Sequence, residues 1–78
     1  MTREIAIRGE TIRLGQLLKL AGVVDSGSDV KMLLGAEAAL VNDEPEIRRG
    51  RQIRPGDRVR LAGHDLLVTG AEEPPAPS

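Results

Sequence analysis

Apolar residues change their spacing along this chain, and each change marks an element. Ile5 and Ile7 alternate with Glu4, Ala6 and Arg8, the period-2 pattern of a short half-buried strand, predicted at a sheet edge and ended by Gly9-Glu10. From Leu14 the period lengthens. Leu14, Leu17, Leu18 and Ala21 fall at i, i+3, i+4 and i+7, one stripe of a helix that Gly22 is placed to end. Asp25 to Asp29 form a polar link, and Ser28 reads as the cap of a second helix through Val30, Leu33 and Leu34. Gly35 weakens that helix. Ala39, Leu40 and Val41 then read as a strand, with Asn42-Asp43 as a tight hairpin turn.

The second half continues in strands and turns. Ile47 and Ile53 are predicted as core anchors on either side of an irregular loop that carries Arg48, Arg49 and Arg51. Pro55-Gly56-Asp57 has the composition of a type II turn, with Asp57 bonding local amides. Val59 and Leu61 point inward while Arg58 and Arg60 point out, the alternation of a strand with one wet face. Gly63-His64-Asp65 is predicted as a further turn, and Leu66 to Val68 as the strand that completes a hairpin beside Ile5 to Ile7. The expected class is α+β: two N-terminal helices packed on a small, mainly antiparallel sheet. One domain over residues 1–70 uses most of the 78 residues, and its core is small because so short a chain buries little. Residues 71–78, with three prolines and two glutamates, are predicted to be a disordered tail.

Composition narrows the function. The chain has no cysteine, so it has neither a disulfide framework nor a thiolate for metal or catalysis. No apolar run approaches the roughly 20 residues of a membrane span, and the start lacks a signal-peptide pattern, so a soluble cytoplasmic protein without membrane contact is expected. Asp57 has no second carboxylate or histidine spaced to work with it, and His64 is the sole histidine. Asp43, Glu44 and Glu46 lack calcium-loop spacing and read as a solvated acidic turn. Neither an enzyme nor a cofactor is expected.

Charge gives the positive lead. The formal total is −1, yet residues 47–60 hold six arginines (Arg48, Arg49, Arg51, Arg54, Arg58, Arg60) against Asp57 alone. Such segregation is the electrostatic footprint of something that meets phosphates. With no Phe, Tyr or Trp, stacking of bases on aromatic rings is closed, leaving recognition of backbone phosphates, 2′-hydroxyls and shape, as in structured RNA. Lys19 faces away from the helical stripe, where it can meet a phosphate or simply be solvated. Lys31, read in the first turn of the second helix beside unpaired backbone amides, has the same two readings, with Asp29 offsetting its charge.

In order, the helix LGQLLKLAGVV, the link DSGSDVK, a helix running into LVND and then RRGRQIRPGDRVRL resemble the S4-type RNA-binding domain, named for a small-subunit ribosomal protein. The resemblance is closest to stand-alone bacterial members and covers about residues 12 to 61 without a gap. It implies an alpha-L-like motif of two packed helices against a compact sheet, binding structured RNA such as ribosomal RNA or transfer RNA. On matching positions the implied RNA contacts are Lys19, Ser28, Lys31, Arg48, Arg49, Arg51 and Arg54. Two departures stand out: Val41-Asn42-Asp43 replaces the usual Val-Asn-Gly, and Ser26-Gly27-Ser28-Asp29 replaces a more glycine-rich or basic link. Two alternatives share these residues. A protein-interaction module would dock the basic loop on an acidic partner. The Val-Asn-Asp-Glu and Pro-Gly-Asp-Arg-Val words also resemble β-grasp sulfur carriers, whose activated Gly-Gly tail is replaced here by Pro-Ala-Pro-Ser.

Overall fold

The computed structural model describes residues 2–70, so the tail read at 71–78 lies outside the described residues. The elements follow as β1 (Thr2–Ile7), β2 (Ile12–Arg13), α1 (Leu14–Leu20), α2 (Gly27–Ala36), β3 (Ala39–Val41), β4 (Glu44–Glu46), β5 (Gln52–Ile53), β6 (Arg58–Leu61) and β7 (His64–Gly70). The fold is α+β. A five-stranded sheet has the order β1-β7-β6-β3-β4 and is antiparallel except where β1 runs parallel to β7. The helices are thus not the first elements, as the expected class had them. β1 precedes them and takes the sheet edge beside β7, where Ile5 and Ile7 reach the core.

One face of this sheet is covered and the other is open. Ile5, Ile7, Val41, Val59, Leu61, Leu66 and Val68 share a single aliphatic core with Leu14, Leu17 and Leu18 of α1 and Val30 and Leu34 of α2. The alternate residues Arg58 and Arg60 face outward, as their spacing predicts. The strand turns are two-residue hairpins with both central residues at positive φ: Asn42 (52°) with Asp43 (68°), and Ala62 (51°) with Gly63 (81°). That geometry matches the twist of paired strands. The second turn therefore sits earlier than Gly63-His64-Asp65, and His64 and Asp65 begin β7.

α1 ends as its sequence requires. Gly22 takes φ 76°, and the Gly22 and Val23 amides donate back to the Lys19 and Leu18 carbonyls at 3.0 and 2.9 Å. The cap of α2 is Ser26 rather than Ser28: Ser26 is extended, and its hydroxyl accepts from the Asp29 amide at 3.2 Å. Ser28 already belongs to the first turn, and Lys31 consequently lies in the second. Asp57 does bond locally. It accepts from the Arg54 amide at 2.8 Å and from the Asn42 side-chain amide at 2.9 Å, tying the Pro55-Gly56 turn to the Asn42-Asp43 turn.

Candidate nucleic-acid interface

The arginine loop, residues 47–51, is fastened to the start of α1. Arg13 offers no side-chain cap there. Instead the Leu14 and Gly15 amides donate to the Arg51 and Arg49 carbonyls at 2.8 and 2.9 Å, so the loop itself satisfies the orphan donors of the helix. The ladder continues in the two-residue pairing of β2 with β5, Ile12 opposite Ile53 and Arg13 opposite Gln52. Gly15 makes the contact possible. A Cβ at that position would lie 3.3 Å from Val30 Cγ1 and 3.4 Å from Arg49 Cβ, so α1, α2 and the loop meet there in close contact.

A buried carboxylate shapes the loop from within. Glu46, not Ile47, turns toward the protein: Glu46 is 8% exposed and Ile47 is 65% exposed. The inward place goes to the acid because it is fully matched there. Its carboxylate accepts from the Ile47 and Arg48 amides (both 3.1 Å), from Arg48 Nε and Nη2 (both 3.2 Å) and from Arg51 Nη1 (3.0 Å). A buried charge is tolerated only when so partnered. The Arg48 side-chain and backbone donors, with Arg51, hold the Glu46 carboxyl from its ordinary 4.5 down to about 2. Glu46 is therefore neither a free acid nor part of a solvated turn, as its neighbours Asp43 and Glu44 had suggested.

A lowered carboxyl pKa has a definite sign. The folded state binds a proton more weakly than the unfolded chain, so the stability linked to Glu46 is complete above about pH 4.5 and disappears as pH falls toward 2. Asp65, held at about 2 chiefly by Arg58, acts in the same direction. Glu46→Gln is expected to lower the thermal midpoint at pH 7 and to flatten its fall between about pH 5 and 2. Thermal melts across that range check this. An unchanged acid limb in the variant would mean that the carboxylate is not the organiser.

The six arginines do not form one cluster. Arg58 and Arg60 lie on the open sheet face and are engaged there. Arg58 makes a bidentate pair with Asp65 (2.8 and 2.6 Å) and also donates to Thr2 Oγ1, while Arg60 pairs with Asp43. The other four belong to the loop and to the turn that follows it. Arg48 remains 74% exposed in spite of its bond to Glu46, so pairing positions its guanidinium without hiding it. Arg51 is more enclosed. Among the described residues, Arg13, Lys19, Lys31, Arg49 and Arg54 make no ion pair.

These cations line three adjoining depressions. Arg48, Arg51 and Arg54 border one of about 770 Å³, whose only acid, Asp57, is spent on the two turns. Arg13, Lys19 and Arg49 border a second of about 530 Å³, with Gly27 of α2 on its wall. Arg49 also borders a third of about 380 Å³ with Lys31. Gly50 and Gln52 are common to the first two, so the surface is continuous. Of the residues singled out from sequence, Lys19, Lys31, Arg48, Arg49, Arg51 and Arg54 all border it. Ser28 stands one residue from Gly27 without lining it. Arg13 and Glu46 were missed; Arg13 gains its place only through the β2–β5 pairing, which two-residue strands do not announce.

A family model for the S4 domain matches residues 5–69, which include both helices, the loop and the whole five-stranded sheet apart from its ends. The chain belongs to the S4 domain family. The match sets aside the sulfur-carrier resemblance. A probable ribosome maturation protein RlbA of Bacillus subtilis (strain 168) is 49% identical over 63 residues, 81% of this chain and 89% of that protein. No helix among the described residues is long and apolar enough to cross a membrane.

Proposed function

We propose that this S4 domain binds structured RNA by its sugar-phosphate backbone, using the continuous cationic surface of Arg13, Lys19, Lys31, Arg48, Arg49, Arg51 and Arg54, with Ser28 at its margin. One observation carries the reading: seven cations border three joined depressions in which the single carboxylate, Asp57, is already committed to local amides. Phosphates suit guanidinium forks, which bind two oxygens in one plane. The absence of aromatic residues favours recognition of folded rather than single-stranded RNA. The name of the relative, a probable ribosome maturation protein, supports ribosomal RNA or its precursor as the target and the cytoplasm as the setting. The role is binding, not catalysis.

Crosslinking in cells followed by sequencing tests this directly. Recovery of ribosomal RNA, with crosslinked peptides drawn from residues 13–19 and 47–54, is expected. Recovery of an acidic protein with no RNA above background would favour the interaction-module reading instead.

A further inference from the structure

The depression bordered by Lys31 and Arg49 differs from its neighbours in having an exposed aliphatic wall, Ile47, with Gly35 and the edge of the buried Leu34 completing its lining. Ile47 is the most unusual of these. It is 65% exposed between charged neighbours, and its backbone amide donates to Glu46 at 3.1 Å, so the backbone that presents the side chain outward is held in place. Gly35 lies inside α2, where glycine weakens a helix, yet its φ is not positive and a Cβ there would meet nothing within 4 Å. Neither backbone geometry nor packing within the protein asks for glycine at that point. Its effect is to keep the depression open.

From this arrangement we infer that the Ile47 depression seats one unpaired nucleotide of the bound RNA, its base against Ile47 and its phosphate beside Lys31 and Arg49. The inference rests on the RNA-binding reading above and adds a preference within it. Charge complementarity decides the occupant: two cations flanking an apolar floor match a nucleotide, an apolar base face joined to an anion, better than a purely apolar side chain. A volume of about 380 Å³ is on the scale of a single nucleotide. The base would sit on aliphatic surface because the chain has no aromatic residue to offer.

The test compares the full chain's affinity for two labelled RNA hairpins, one fully paired and one carrying a single bulged purine, by fluorescence anisotropy. The bulged hairpin is expected to bind about tenfold tighter, the effect of covering one side chain of this size. Ile47→Ser should erase that preference while leaving the affinity for the paired hairpin and the salt dependence unchanged, because no charge is lost. Ile47→Phe, which offers a π face, should enlarge it. Gly35→Leu should erase it by filling the seat, and its thermal midpoint should stay level or rise by a few degrees because leucine is the better helix former. Equal affinity of the unaltered chain for the two hairpins, or a preference that survives both Ile47→Ser and Gly35→Leu, overturns the inference and leaves phosphate recognition standing. Failure to bind either hairpin overturns both.

Discussion

Replacing Arg13, Lys19 and Arg49 together by alanine is expected to weaken binding to structured RNA by on the order of 10²- to 10³-fold at about 0.1 M salt, with little change in stability. Each neutralised phosphate contributes close to one unit of log-log salt dependence, so each lost contact removes about tenfold at that salt concentration. The three side chains border one depression and make no ion pair among the described residues, so their removal strands no buried carboxylate. Exposed charges contribute little to folding, on the order of 1 kcal/mol or less each, so the thermal midpoint should move by only a few degrees. The informative control is Arg60→Ala. Arg60 is as basic as the others but lies on the open sheet face against Asp43, and its loss should leave RNA affinity nearly untouched. Equal losses in the two variants would show that net charge, not this surface, governs binding.

The largest effect on stability is expected from Leu18→Ala. Leu18 is fully buried beside Leu14 and Leu17, and all three come from the single face of a helix seven residues long. Truncating a leucine in such a site costs about 2–5 kcal/mol, because the cavity left behind closes only in part. A chain of 78 residues has a total stability of about 4–12 kcal/mol, and each kcal/mol moves the midpoint by about 4–8 °C. A fall of at least about 8 °C is therefore expected in thermal melts followed by circular dichroism. The consequence reaches the interface as well. α1 receives the Arg49 and Arg51 carbonyls, so a helix that no longer seats firmly releases the loop it holds. A shift of a degree or two would mean that α1 contributes little to the core.

Much of this was legible in the sequence where a period or a turn residue imposed it. The stripe Leu14, Leu17, Leu18 and Ala21 gave α1 to within a residue of its end, and Gly22 gave its stop. The alternation of Arg58, Val59, Arg60 and Leu61 gave β6 with its two faces. That same alternation already implied that Arg58 and Arg60 leave the loop cluster, although proximity in sequence suggested one group. Other features depend on where distant segments land. Glu46 and Ile47 exchange their expected places because Arg48 and Arg51 converge on the carboxylate in space, and nothing local makes a glutamate prefer the inside. Arg13 joins the interface through a ladder of two residues, too short to show a period. Ser26 and Ser28 were equally good caps by composition, and the start of α2 at Gly27 decided between them against the helix propensity of glycine.

In the proposed role, guanidinium groups set in place by Glu46 and by the start of α1 grip the phosphates of folded RNA. The dissociation constant of the unaltered chain for a structured ribosomal RNA fragment, measured from about 0.05 to 0.3 M salt, tests it most directly. With about four phosphates neutralised, the logarithm of affinity should fall against the logarithm of salt concentration with a slope of about −3 to −4. An affinity that stays level across that range would contradict it.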